Sequence, residues 1–134
     1  MDYVADAHAM LWHLFDPRRL GSAARAAFVD ADSGGARIFL PAVVMAEMIM
    51  VIERGRLPSV TINQLLSMFA AMQSGSNYVL YPLLPEVVIT SHMLTAIPDI
   101  FDRLIVADAR RLAIPLISHD AIISASGLVS VMWD

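Results

Sequence analysis

Short apolar runs bounded by turn residues alternate along this chain with longer stretches of helical periodicity. Tyr3-Val4-Ala5 reads as a first strand ending at Asp6, and a helix is expected from about His8 to Phe15, stopped by Asp16-Pro17. Ser22 is placed to cap a second helix reaching about Asp32, Ser33-Gly34-Gly35 is a turn, and Arg37-Ile38-Phe39-Leu40 reads as a second strand. Pro41 suits the first position of a helix running to about Arg54 and closed by Gly55. Thr61 is positioned to cap a helix to about Gln73, Gly75 breaks that pattern, and Tyr78-Val79-Leu80-Tyr81 is the third strand. The remainder predicts helices from about Pro85 to Met93 and from Asp99 or Ile100 to Leu112, then a strand Pro115-Leu116-Ile117-Ser118. A short helix near Asp120 to Ser124 and a strand near Ser130 to Trp133 complete the series. Strands separated by helices imply the α/β class: a central parallel sheet of about five strands with helices on both faces. No repeat, low-complexity tract or Gly/Ser/Pro-rich linker divides the chain, so residues 1–134 read as a single domain.

Hydrophobic residues make up 57% of the 134 residues, and the mean hydropathy is +0.62, which raises the question of a membrane segment. The longest apolar stretch, Phe39 to Ile52, is shorter than the roughly 20 residues a spanning helix needs and contains Glu47. It reads as a buried helix, and the surplus apolar surface points to a partner chain or homo-oligomer. There are no cysteines, which removes thiolate metal sites, a thiol nucleophile and a disulfide framework. The start, Met1-Asp2-Tyr3-Val4-Ala5-Asp6, has no basic and then apolar segment of a secretory signal, so the expected location is cytoplasmic. The formal net charge of −4 argues against a broad basic face for nucleic acid. All nine basic residues are arginine, a composition that a GC-biased genome also produces.

The informative acids among the thirteen are those that interrupt an apolar element or end a strand. Asp6 follows the first strand and Asp120 follows Leu116-Ile117-Ser118; in open parallel sheets the C-terminal strand ends form the ligand crevice. Glu47 lies in Val43-Val44-Met45-Ala46-Glu47-Met48-Ile49-Met50, apolar on nearly every side, where an unpaired carboxylate is costly and needs a partner or a cation. Asp102 opens a similarly apolar helix, Phe101-Asp102-Arg103-Leu104-Ile105-Val106-Ala107, within the first turn that favours negative charge. Carboxylates converging on one cleft repel each other, and hard divalent cations with oxygen ligands, Mg²⁺ or Mn²⁺, relieve that repulsion. Such an ion positions a water, lowers its pKa and stabilises charge on a phosphate, the chemistry of metal-assisted phosphodiester hydrolysis. Each acid also has a plainer reading: Asp6, Asp99 and Asp120 as helix caps, Asp102 as the capping-box partner of Asp99, and Glu47 as the partner of a buried arginine.

Four segments carry a resemblance that covers nearly the whole chain: Asp6-Ala7-His8-Ala9-Met10-Leu11-Trp12; Met45-Ala46-Glu47-Met48 with Gly55-Arg56-Leu57; Pro98 through Ala107, with its Asp-x-x-Phe-Asp-Arg core; and Pro115-Leu116-Ile117-Ser118-His119-Asp120. In this order and spacing they resemble the PIN-domain nucleases, and within them the VapC-type toxins of bacterial toxin-antitoxin pairs. The resemblance implies a parallel sheet between helices, divalent-metal hydrolysis of RNA, a homodimer and a cognate antitoxin protein as inhibitor. It also implies that Asp6, Glu47, Asp102 and Asp120 are the catalytic, metal-binding acids, with Asp99 as an additional acid of the subgroup. Ala7 departs from the pattern, since Thr often follows the first acid and its hydroxyl is missing here, whereas Ser118 keeps the hydroxyl expected two residues before the fourth acid.

Other residues invite a role that simpler readings oppose. His8 and His119 stand near Asp6 and Asp120, but His8 is a polar residue at a helix start and His119 points away from its neighbours if the strand continues that far. Asp108 falls on a different helical face from Asp102 and is expected to be solvated. Met45, Met48 and Met50 read as core, with a pliable groove for a partner segment as the other possibility. Arg18, Arg19, Arg54, Arg56 and Arg103 are candidates for phosphate contact, or else surface residues and carboxylate partners. Receiver domains and haloacid dehalogenase-like phosphatases also place acids at strand ends, but both rely on a lysine and this sequence has none. The competing function is a PIN-like interaction protein without catalysis.

Overall fold

The computed structural model describes residues 1–134. Five strands, β1 (Asp2–Ala5), β2 (Arg37–Pro41), β3 (Tyr78–Tyr81), β4 (Leu116–Ile117) and β5 (Val131–Met132), form one sheet in the order β3-β2-β1-β4-β5. Every pairing is parallel, with Val4 opposite Phe39 on one side and opposite Leu116 on the other. The helices are α1 (Ala7–Phe15), α2 (Ser22–Asp32), α3 (Ala42–Glu53), α4 (Ile62–Ser74), α5 (Pro85–Ser91), α6 (Ile100–Leu112) and α7 (Ala121–Ser126). Because β2 and β3 lie on one side of β1 and β4 and β5 on the other, the winding reverses between β1 and β4. Crevices at such a reversal are where open parallel sheets hold ligands.

The expected elements are present, with local differences. Gly21, not Ser22, occupies the N-cap of α2, where no side chain caps the helix. Pro41 ends β2 in an extended conformation, so α3 starts one residue later than its proline suggested. Thr61 does cap α4, and with Gln64 it makes a reciprocal box in which each side chain accepts from the other residue's backbone N–H. Strand β4 is shorter than the apolar run Pro115–Ser118, and α5 stops at Ser91.

The core is centred on β1, with Val4 and Ala5 fully buried, and on α6, whose residues Leu104 to Ala109 are all buried. That burial overturns the expectation for Asp108. A helix enclosed along six successive residues has no solvent face to offer, so the turn opposite Asp102 is interior rather than wet. Asp108 is fully buried, neither carboxylate oxygen has a hydrogen-bond partner, and burial pushes its pKa up to about 6 despite the opposing effect of Arg111. The methionine set divides: Met48 is fully buried, Met45 packs against the core, and Met50 is half-buried.

An acid whose folded pKa is raised costs nothing below its unfolded value and destabilises the fold as pH rises through the folded one. Asp108→Asn is therefore expected to match the native protein in urea denaturation at pH 4 and to exceed it by about 1 kcal/mol at pH 8. Equal stabilities at pH 8 would mean that Asp108 finds compensation in solution.

A carboxylate cleft at the reversal of the sheet

Asp6 directly follows β1, and Asp120 lies three residues beyond β4, so both stand at the C-terminal ends of the two strands where the winding reverses. Each is fixed by capping the helix that leaves its strand. An Asp6 carboxylate oxygen accepts from Ala9 N–H at 2.9 Å, and an Asp120 oxygen accepts from Ile123 N–H at 2.9 Å. The capping readings and the cleft reading are thus both correct, because one oxygen of each carboxylate bonds the backbone while the side chain lines the cleft. Ser118, fully buried, braces the pair: its hydroxyl accepts from Asp120 N–H at 3.1 Å and also hydrogen-bonds Asp6.

Glu47 enters from the middle of α3 and Asp102 from the first turn of α6, and both face Asp6 and Asp120 across a cleft of about 410 Å³. The other lining residues are Ala7, His8, Trp12, Ile105 and His119. Asp99 is exposed at the edge, where it caps α6 by accepting from Phe101 N–H at 2.7 Å; it acts on the cluster through its charge rather than by lining the cleft.

Electrostatics mark these groups as mutually unfavourable. Burial first, then the charges of Asp102, Asp6 and Asp99, push Glu47 from 4.5 up to about 7. Asp102 is pushed from 3.8 up to about 6 by burial and by Asp99, Asp120 and Asp6. Burial also raises Asp6, against the pull of the hydrogen bonds from Ser118 and Ala9. One Glu47 oxygen, Oε1, is buried without any hydrogen-bond partner. The arginine that might have paired with Glu47 is absent, since the arginine ion pairs join Arg18 to Asp16, Arg37 to Asp2 and Arg111 to Glu86. Arg103 is occupied as well: its guanidinium donates to the carbonyls of Ile97 at 2.6 Å and Pro98 at 3.0 Å, which holds the loop before α6.

The donor set suits a hard cation, being all carboxylate oxygen with one donor unsatisfied. The carboxylates have not closed into a cage, for no three acidic or histidine side chains stand together as a complete metal-holding set. Two histidines and Trp12 are lining residues that the sequence did not assign to the cleft. His119 would point away only along a continuing strand; β4 ends at Ile117, and His119 lines the cleft together with Asp120. The i, i+4 spacing of His8 and Trp12 on a helix capped by Asp6 was the available signal.

A doubly flanked parallel sheet with an acidic crevice at its winding reversal places the molecule among α/β domains that gather ligands at strand ends. The chain belongs to the PIN domain family, whose model matches residues 3–126. No curated protein matches the sequence. Among solved structures, the chain is similar to one in the crystal structure of VapBC2 from Rickettsia felis bound to a DNA fragment from its promoter. There the TM-score is 0.71 at 13% identity, covering 100% of both chains. It is similar to VapC20 of Mycobacterium tuberculosis, described as a Sarcin-Ricin loop cleaving toxin, with a TM-score of 0.67, 17% identity and coverage of 96% and 98%. A third, FitAcB of Neisseria gonorrhoeae, gives 0.64 at 13% identity, covering 97% and 96%. No helix is long and apolar enough to cross a membrane.

In EDTA, carboxyl-detected NMR is expected to show Glu47 titrating near 7, and Asp102→Asn to lower that value because a neighbouring like charge is gone. Titration of Glu47 near its ordinary 4.5 would show that the cleft is open and solvated.

Proposed function

We propose that this chain is a divalent-metal-dependent endoribonuclease, with Mg²⁺ or Mn²⁺ as its ion, and the toxin of a toxin-antitoxin pair. The observation that carries the reading is the buried, unpartnered Oε1 of Glu47 in a cleft where Asp6, Asp102 and Asp120 already raise its pKa or crowd the same space. An arrangement that costs this much by itself is explained by a cation that the four acids bind in common, with Asp99 adding negative potential from the edge. A bound ion of this kind supplies a low-pKa water and charge neutralisation at a phosphate.

The chain's own residues set up that chemistry. Asp6 and Asp120 keep one oxygen each on a helix N–H, which fixes their rotamers while leaving a second oxygen to the cleft. Glu47, pushed up to about 7, and Asp102, pushed up to about 6, carry protons in mildly acid solution that metal binding would release. Ser118 supplies the bracing hydroxyl, so the Thr-to-Ala difference at Ala7, which is buried, leaves Asp6 still hydrogen-bonded.

The toxin assignment rests on family membership, on the four sequence segments and on the likeness to VapBC2, VapC20 and FitAcB, of which VapC20 is described as a toxin. An antitoxin protein and a second copy of the chain are its expected partners. The exposed apolar residues Val88, Ile89 and Met93 on and just after α5 give them surface to cover.

Purified protein with RNA and Mn²⁺ or Mg²⁺ is expected to cut the RNA, and EDTA to stop it. Asp6→Asn and Asp102→Asn should each lower the rate roughly a hundredfold or more. Asparagine caps helices as well as aspartate does, so Asp6→Asn should keep its far-UV circular dichroism. Undiminished cleavage in both variants would refute the site, and a folded protein inert with either metal would favour a non-catalytic PIN-like interaction protein.

A further inference from the structure

Both tryptophans of the chain, Trp12 and Trp133, meet beside the acidic cleft, and two histidines join them. Trp12 and Trp133 pack edge to face with ring centres 5.6 Å apart. His8 is tilted against Trp12 at 5.7 Å, and His119 against Trp133 at 4.8 Å. The Arg19 guanidinium lies over the Trp12 ring at 4.4 Å. The fold dictates the meeting. His8 and Trp12 share one face of α1, and the register that pairs Ile117 with Met132 carries His119 and Trp133 past the ends of neighbouring strands together. Strand ends that supply carboxylates from β1 and β4 therefore supply aromatic rings from β4 and β5.

Packing alone does not explain the set. His8 and His119 are exposed and line the same cleft as the acids, so two of the four rings contribute no core and face the solvent side of the site. The chain also has a binding problem to solve. At a net charge of −4, with acids at the cleft, phosphate attraction alone gives little affinity. Aromatic faces next to one guanidinium are the alternative: unpaired bases stack on them in any sequence, while the arginine bonds phosphate or stacks in its own plane. A cleft of about 410 Å³ is of the size that takes a small ligand.

We infer that Trp12, Trp133, His8 and His119, with Arg19, form a stacking platform for an unpaired nucleotide beside the carboxylate cleft. The inference rests on the nuclease reading for its ligand, but base stacking is measurable without cleavage.

With both tryptophans at the platform, intrinsic fluorescence reports on it directly. In the Asp6→Asn protein with Mg²⁺, a short oligoadenylate should quench this fluorescence saturably, and a fully paired RNA duplex of the same length should not. By anisotropy of labelled oligoadenylate, Trp12→Leu should weaken binding roughly tenfold and Trp12→Phe should restore most of it. In the otherwise native protein, Trp12→Leu should raise KM by a similar factor and leave kcat nearly unchanged, a split that a purely structural role would not give. Should Trp12→Leu fail to fold, the exposed His8→Ala and His119→Ala variants decide, each with a severalfold loss of affinity. Equal binding of single strand and duplex, no binding of either, or unchanged affinity in the folded ring variants would overturn the platform. Saturable oligoadenylate binding without cleavage by the native protein would instead refute the nuclease and keep the platform, whereas cleavage indifferent to the ring variants would do the reverse.

Discussion

Repulsion among carboxylates held at one end of a parallel sheet is the constraint around which the rest of this molecule is arranged. Left to themselves, Glu47 and Asp102 would turn to water, yet α3 and α6 are anchored by buried neighbours, Val44 and Met48 on one and Leu104 to Ala109 on the other. Asp6 and Asp120 cannot swing away either, since each caps the helix that follows its strand. Stability spent on keeping like charges together has to be recovered from the core and from whatever binds the cluster. Burial first, and then that conflict, push Glu47 up to about 7.

The scaffold solves it with ordinary devices. The winding reversal between β1 and β4 leaves an open crevice, caps orient two acids without consuming both oxygens, and Ser118 braces them from beneath. Arg103, which sits next to Asp102 in sequence and could have neutralised it, is instead bonded to the carbonyls of Ile97 and Pro98. The negative potential of the cleft is thereby preserved, and the one cation close to the aromatic rim is Arg19 over Trp12.

Much of this was legible in the residues. Alternating apolar runs and helical stretches predict the parallel sheet, because burial on both faces demands continuous apolar strands such as Tyr3-Val4-Ala5. An acid immediately after such a strand, as Asp6 is, can cap the next helix and still face the crevice, and one in the midst of an apolar helix, as Glu47 is, needs a partner or a cation. Three features were not legible. Asp108 obeys helical periodicity relative to Asp102 and is nonetheless interior, since periodicity gives relative faces and not which faces the rest of the chain covers. His119 depends on β4 ending at Ile117, a boundary that its apolar run does not mark. The meeting of Trp12 with Trp133 joins residues at opposite ends of the chain, through a strand register that no local pattern encodes.

The central claim is that the four acids are held together for a shared divalent ion. It is tested most directly by calorimetric titration of Mn²⁺ into the protein near pH 6.5, in two buffers of different ionisation enthalpy. The account predicts saturable binding with net proton release, because Glu47 and Asp102 must lose protons to become ligands, and a smaller release in Glu47→Gln. Absence of binding, or binding with no protons released, would contradict it.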